Sequence, residues 1–539
     1  MPLLPIRNLG SAGVITDVDP FNLPFNAFTR AKNVRFSDGN VERSPVFRTA
    51  YDYTSSSTKV PSFVFGLTNP GTFDTVLIVN QDFSVDEFSN GTITTAHSDS
   101  QSSSTAPVTG TTLASVEYLN RPSRVPIART PTSSTFSTLA NWDSTWRTSS
   151  LRSFGDFMLA LNLTEGSTSY PNRVRFSDIT LANQVPGSWD ATDTTKSAGF
   201  NDLVQLRTPI VDGATLGSNF LIYSSDQVWL MEFVGGTFIF NFRKVFDDAG
   251  VINQNCILEV EGKHYVFDTD DIYVNDGITR QSICDNRVRD YIFNGIDMSL
   301  QEACFVMHVA DLEEIYFCYH SGDDLAVYDD VSGCNRAAVY NYRSDTWSFV
   351  DLPNVTSGSL ANLDAVATYA TTGLTYDETG GTYHAQESKF TRYPVMVSKK
   401  DTAAGITSPR LLGLDLVDSG SLNLPETTEV NKPVYLERTG IDLDQEAQLP
   451  LSSYKIIKRL YPQISTPSTD KFFDFTFGAA DLPPNVPLYE APVNFDSSTE
   501  YKVDTRISGR YLSYKVQTSE IKDFTLSGMD VEVVATGRR

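Results

Sequence analysis

Cysteine and histidine are both scarce in this chain: its 539 residues hold five of each. The cysteines stand at 256, 284, 304, 318 and 334. An odd number at this length argues against a disulfide framework. They are expected as free, mostly buried thiols of a protein made in a reducing compartment. Basic residues are outnumbered, with 42 Lys and Arg against 66 Asp and Glu and a net charge of −24. That balance excludes a grip on nucleic acid through clustered cations. It suits solubility; a sharper reading is a surface past which a polyanion slides without sticking. No apolar run approaches the ~20 residues of a spanning helix, so no membrane span is expected. The opening MPLLPIRNLG lacks a basic region followed by an apolar stretch, so no signal peptide is expected. Gly-x-Ser-x-Gly, Gly-x-x-x-x-Gly-Lys-Ser/Thr and His-Glu-x-x-His are all missing, which removes the common motif-bearing enzymes.

What the chain has is β texture. Hydrophobic residues make up 40 % and aromatics 12 %, including 33 Phe and 24 Tyr. That is enough to fold, and it suits pleated, half-buried surfaces. The length exceeds the roughly 250–300 residues at which one core stops growing, so two or three domains are expected. The dominant period is two. Phe220 to Phe233 reads as two strands around Ser-Ser-Asp-Gln, Gly235-Gly236 breaks the chain, and Thr237 to Lys244 reads as another strand. Strands follow at 257–260, 264–267 and 272–274, closed by Asn275-Asp276-Gly277, and again at 304–309, 315–319, 337–342 and 347–350. Short strands every 8–12 residues mark a sandwich, barrel or propeller. The spans 220–245, 256–276 and 304–350 each read as most of a four-stranded propeller blade. Strands at 62–65, 75–79 and 83–88 read as another. Val339 to Phe349, with Trp347, resembles the strand–turn–strand of kelch-type blades. Val-Arg-Phe-Ser-Asp occurs at both 34–38 and 174–178.

Composition shifts mark the organisation. Residues 93–150 and 351–409 are rich in Ser and Thr and are expected as insertions. Longer strands at 434–438, 454–460, 472–477, 511–516 and 529–534 read as a separate antiparallel sandwich. Little helix is expected, with 286–294 the best candidate. The expected class is all-β: residues 1–50 the N-terminal part of a platform, 51–400 a β-propeller, and 410–539 a C-terminal sandwich-like platform.

The chemistry-bearing candidates are weak. Cys304-x-x-x-His308 and Cys318-x-His320 carry zinc-ligand types, but four residues along a strand is too far to clasp one ion. Asp268-Thr-Asp-Asp271 is dense in acids, yet a calcium loop needs Gly at its sixth position, where Tyr273 stands. Ser344-Asp345-Thr346-Trp347 lacks the Gly and the Trp spacing of sialidase boxes. A glycosidase's paired carboxylates cannot be chosen among 66 acids without geometry. No catalytic residue, metal or cofactor is expected, and the chain is not read as an enzyme.

The two ends carry the most specific signal. The first is Gly13-Val-Ile-Thr-Asp-Val-Asp-Pro20 with Asn26 to Pro45, including Val34-Arg-Phe-Ser-Asp-Gly39. The second is Ile507-Ser-Gly-Arg-Tyr-Leu-Ser-Tyr-Lys-Val516 with Phe524-Thr-Leu-Ser-Gly-Met-Asp-Val-Glu-Val-Val534. With Pro186-Gly-Ser-Trp189, Ile222 to Trp229 and Tyr265 to Asp268, these resemble the tail nozzle (tail-hub or tail-tube) proteins of short-tailed bacteriophages. The likeness runs over most of the chain, apart from 93–150 and 351–409. It implies a virion protein assembled in the host cytoplasm as a homo-oligomer, a six-fold ring below the portal and its adaptor. It implies an outer propeller, a platform from both chain ends around a channel for double-stranded DNA, and contacts with tail fibres or spikes. The alternative is a receptor-binding or polysaccharide-degrading tail protein, although no short β-helix repeat is visible.

Overall fold

The computed structural model describes residues 3–53, 59–67, 75–89, 92–99, 102–236, 238–322, 333–363, 392–400, 407–415, 433–443, 453–482, 485–518 and 522–537. Among the described residues, seven four-stranded antiparallel sheets follow one another around a ring. Blade 1 is Pro61–Leu67, Thr75–Asn80, Val85–Ser89 and Thr92–His97. Blade 2 is Thr109–Leu113, Val116–Asn120, Ile127–Arg129 and Ser137–Thr138, and blade 3 is Trp146–Phe154, Phe157–Glu165, Thr168–Phe176 and Gly199–Asp202. Blade 4 is Ile210–Leu216, Asn219–Ser224, Gln227–Phe233 and Phe240–Asp247, and blade 5 is Ile257–Val260, Lys263–Phe267, Ile272–Asn275 and Arg280–Ser282. Blade 6 is Phe305–Val309, Glu314–Tyr319, Cys334–Asn341 and the first half of the 16-residue strand Thr346–Ala361. The second half of that strand opens blade 7, which continues through Tyr393–Ser398 and Arg410–Leu414 and ends on Phe47–Asp52. The chain is an all-β propeller with a second β module.

Alternation gives each blade two apolar faces, and each face is buried against the next blade. Phe63, Val79 and Phe83 of blade 1 share a core with Leu119 and Ile127 of blade 2. Tyr118 and Trp142 then meet Met158 and Trp189, and Leu161 and Phe176 meet Phe220 and Trp229. The ring closes where Val64 and Ile78 of blade 1 pack on Val395, Leu411 and Ala361 of blade 7. At that seam Ser357 Oγ accepts from Val64 N at 3.3 Å and Ser359 Oγ from Gly66 N at 3.1 Å. A Cβ on Gly66 would lie 2.0 Å from Leu360 O, so only glycine permits this approach.

The second module is a pair of six-stranded sheets. In one, Leu3–Arg7, Val34–Ser37 and Asn40–Arg43 join Tyr454–Ser465, Val503–Gly509 and Thr525–Gly537. In the other, Arg30–Lys32 joins Tyr435–Ile441, Phe472–Ala480, Leu488–Tyr489, Val493–Asp496 and Tyr511–Gln517. Ile457, Leu526 and Val531 of the first sheet share a core with Phe475, Phe477 and Val516 of the second. That core runs on into blades 4 to 6, through Phe28, Phe36, Trp347 and Phe349. The joint is also polar: Asn33 N donates to Phe349 O at 2.8 Å, and Asp351 N donates to Asn33 Oδ1 at 3.0 Å. Arg35 Nε reaches the buried Glu314 at 3.0 Å. Burial pushes the Glu314 carboxyl up, against the pull of Arg35.

Several expectations change in detail. Residues 93–150, expected as an insertion, supply most of the outer strand of blade 1, all of blade 2 and the start of blade 3. Their hydroxyls are consumed inside the sheets: buried Thr148 Oγ1 donates to Leu161 O at 2.8 Å. The insertion expected at 351–409 falls in part outside the described residues; its described ends are blade strands. Phe47–Asp52, which straddles the expected boundary at residue 50, and Arg410–Leu414, expected in the platform, pair with each other in blade 7. The helix expected at 286–294 is Arg289–Gly295, seated by buried Ile292. The two Val-Arg-Phe-Ser-Asp words fall in different modules, on Val34–Ser37 and at the end of Thr168–Phe176, so they are not a repeat.

Candidate interaction surfaces

The propeller axis is plugged by polar side chains. Asp212, at the start of blade 4, takes a bidentate contact from Arg152 of blade 3, Nε at 2.9 Å and Nη2 at 2.6 Å. Ser150 Oγ donates to the same carboxylate, and Asn255 N, before blade 5, donates at 3.1 Å. Asn255 Nδ2 in turn reaches Val108 O of the link to blade 2 at 2.9 Å. Burial opposes the Asp212 charge, but Arg152 and the donors around it outweigh burial and hold the carboxyl below its ordinary value. A cavity of about 130 Å³ lies nearby, lined among others by Gln81, Asn253, Ser357 and Lys399. Its Asn253 is committed, donating to Glu302 O at 2.8 Å. These groups hold four blades together, and the Arg152–Asp212 pair is closed on itself.

The sequence candidates are engaged in the protein's own packing and hydrogen bonds. All five cysteines are free and buried, and burial pushes the Cys284 and Cys304 thiols up to about 12. His308 Nε2 lies 3.4 Å from Tyr342 Oη, and His320 Nδ1 donates to Gly333 O at 2.8 Å. No three His, Cys, Asp or Glu side chains converge as a metal site among the described residues. Asp268 Oδ2 accepts from Gly250 N at 2.8 Å, while Asp271 takes Arg280 at 2.9 Å and Ser282 at 2.6 Å. These acids brace turns. Trp347 is fully buried and donates from Nε1 to Ile283 O at 3.0 Å, so it ties blade 6 to the link after blade 5.

The exposed features were not anticipated. On the platform, the hairpin joining Phe472–Ala480 to Leu488–Tyr489 ends in an apolar knob. Leu482, Val486 and Leu488 are 52 %, 88 % and 81 % exposed, flanked by exposed Asp481 and Glu490. Its root is fixed: the Lys515 ammonium lies 3.7 Å from the Tyr489 ring centroid, and Tyr489 Oη donates to Glu437. The Phe21–Asn26 turn lines a groove of about 690 Å³ together with Leu4, Pro5 and Ile6 and with three charged residues, Arg7, Arg438 and Asp442. Arg438 is 1 % exposed and donates to Pro20 O at 2.7 Å and Leu23 O at 2.9 Å. Among the described residues its Nε has no partner and no carboxylate pairs with it, and burial pulls its pKa down to about 10. A second exposed apolar tip, on blade 4, carries Phe233, Val234 and Phe238, with Phe233 resting on Phe157 and Phe240.

Charge is divided unevenly. Residues 47–415 hold 44 of the acids and 24 of the bases, a net of −20, which leaves −4 on the residues either side.

No protein-family model and no curated protein matches the chain. Solved structures it is similar to include PorZ, a surface component of the type-IX secretion system of Porphyromonas gingivalis. That match has 8 % identity and a TM-score of 0.37, covering 71 % of this chain and 42 % of PorZ. BamB from Moraxella catarrhalis matches at 10 % identity and TM-score 0.37, over 71 % of this chain and 96 % of BamB. A chain of the mitotic checkpoint complex matches at 11 % identity and TM-score 0.36, over 68 % and 96 %. At such scores the propeller rests on the sheet topology, not on these likenesses.

Proposed function

We propose that this chain is a structural virion protein, the tail nozzle of a short-tailed phage. In this reading six copies form a ring below the portal and adaptor, fibres or spikes attach to it, and DNA leaves through its lumen without specific binding. One observation carries the reading. The residues that resemble nozzle proteins at the two chain ends lie side by side in one module. Val41 pairs with Leu526, and Ile6 with Met529. That module shares a core with a propeller and exposes an apolar knob, which suits a ring-forming element.

The reading also changes the account of the acidity. Most of the net charge belongs to the propeller, outside the channel in such a ring. Solubility accounts for that charge better than repulsion from the conduit wall. A second reading, a receptor-binding or polysaccharide-degrading tail protein, draws on the exposed phenylalanines of the blade 4 tip.

Electron microscopy of the purified protein, alone and with its adaptor, tests the proposal. Six-fold rings support it. A monomer in every assembly context overturns it, and release of reducing ends from a capsular polysaccharide would favour the second reading.

A further inference from the structure

We infer that the joint between platform and propeller binds a small aromatic carboxylate. The site lies within one chain, so the inference goes beyond the nozzle reading and does not rest on it.

A cavity of about 290 Å³ opens at this joint. Thr16, Arg30, Lys32 and Tyr435 line it from the platform side, and Tyr291 and Phe349 from the propeller. No acid is in its lining. Arg30 and Lys32 stand two apart on the strand Arg30–Lys32 and so share one face, with Tyr435 opposite Lys32 on the next strand. Arg30 is exposed and, among the described residues, makes no ion pair or hydrogen bond. Its cross-strand neighbour Glu437 is already engaged: that carboxylate accepts from Tyr435 at 2.6 Å and from Tyr489, with Lys515 at 3.5 Å. Lys32 lies 3.7 Å from Asp351, which also serves Arg336 at 3.7 Å. Two cations thus divide one carboxylate, and Arg30 has none. Two further acids stand close by. Asp19 lines the adjoining recess with Glu437, and Asp17 accepts from Thr16 Oγ1 at 2.8 Å and from Asp290 N at 3.0 Å. Neither lines this cavity.

The other wall is aromatic. The Tyr291 and Phe349 rings meet edge to face with centroids 4.9 Å apart, and Arg336 Nη1 fixes Tyr291 by donating to its Oη at 3.1 Å. Tyr435 adds a third ring. A carboxylate carried on one or two fused rings suits both halves. Its oxygens accept from Arg30 and Lys32, and its ring packs on the aromatic corner. Inorganic phosphate would leave the rings wet, and a neutral ring would leave Arg30 without an acceptor. Because both modules line the site, the bound acid bridges them.

Isothermal titration of the full chain with naphthoate tests this. Saturable binding at one site per chain is expected. Naphthamide and inorganic phosphate should each bind at least about tenfold more weakly, since each lacks half of the recognition. Arg30→Gln should weaken naphthoate by about tenfold with the unfolding midpoint unchanged, because Arg30 is exposed and unpaired. Phe238→Ser, on the exposed blade 4 tip, should leave naphthoate binding as it was. Naphthoate that does not saturate, naphthamide or phosphate binding equally well, or full affinity in Arg30→Gln would overturn the inference. So would loss of binding in Phe238→Ser, which would place the ligand on the propeller rim. None of these results bears on whether the chain forms rings.

Discussion

Replacing Asp212 with Asn removes one charge from the middle of the propeller and leaves the shape of the side chain intact. The carboxylate is buried and holds Arg152 in a bidentate contact, while Ser150 and Asn255 donate to it from neighbouring blades. Breaking a buried pair by removing one partner costs about 3–5 kcal/mol. The lower end applies, about 3 kcal/mol, because Arg152 keeps Asn255 Oδ1 and partial access to water. With a urea slope of roughly 3 kcal/mol/M, the midpoint should fall by about 1 M. Tryptophan fluorescence is the right probe, because all five Trp (142, 146, 189, 229 and 347) lie in the propeller. The pH dependence gives a second check. A carboxyl held below its ordinary value stabilises fully above the ordinary carboxylate range, and that stabilisation is lost as pH falls through the depressed folded value. Asp212→Asn should flatten this acid limb. Asp504→Asn is the control: Asp504 pairs with Arg459 at 2.9 Å on the exposed platform face, and its loss should leave the propeller midpoint unmoved. Equal midpoints for the two variants, or an unchanged acid limb, would refute the reasoning.

Gly66→Ala should open the seam between blades 1 and 7, read as new proteolytic cleavage there, because its Cβ would collide with Leu360 O at 2.0 Å. Arg35→Ala leaves Glu314 buried without its cation; a loss of about 3–5 kcal/mol at the joint should appear as platform release in limited proteolysis. Trp347→Ala should lower stability by about 3–5 kcal/mol, seen as a reduced urea midpoint, through lost packing against Tyr340 and Phe317. Ellman's reagent should find almost no reactive thiol in the native protein and five after denaturation.

The blades that were legible in the sequence are those whose strands alternate cleanly. Phe220 to Phe233 carries its own period and its own turns, and so does the hairpin closed by Trp347. Blade 2 was hidden because its strands, such as Thr109–Leu113, place hydroxyls where apolar side chains are looked for. Thr109 is buried, and its hydroxyl accepts from Leu151 N at 3.3 Å in the next blade. The seventh blade was hidden for another reason. Pairing of Phe47–Asp52 with Arg410–Leu414 is non-local, and neither strand signals its partner. The knob was missed because a Pro-rich stretch between two strands has the composition of a plain loop. Only the fold shows that Val486 stands in solvent while Tyr489, three residues on, is anchored.

The weave of the platform also sets a clock. Phe47–Asp52 leaves the ribosome long before Arg410–Leu414, the strand that closes its blade. At about 5–20 residues per second the gap is roughly 20 to 70 s. Leu3–Arg7 waits longer still, since its partner Thr525–Gly537 follows Arg410–Leu414 along the chain. Until then one wall of the groove has no sheet to belong to. The platform therefore cannot complete its first sheet until Thr525–Gly537 has been made.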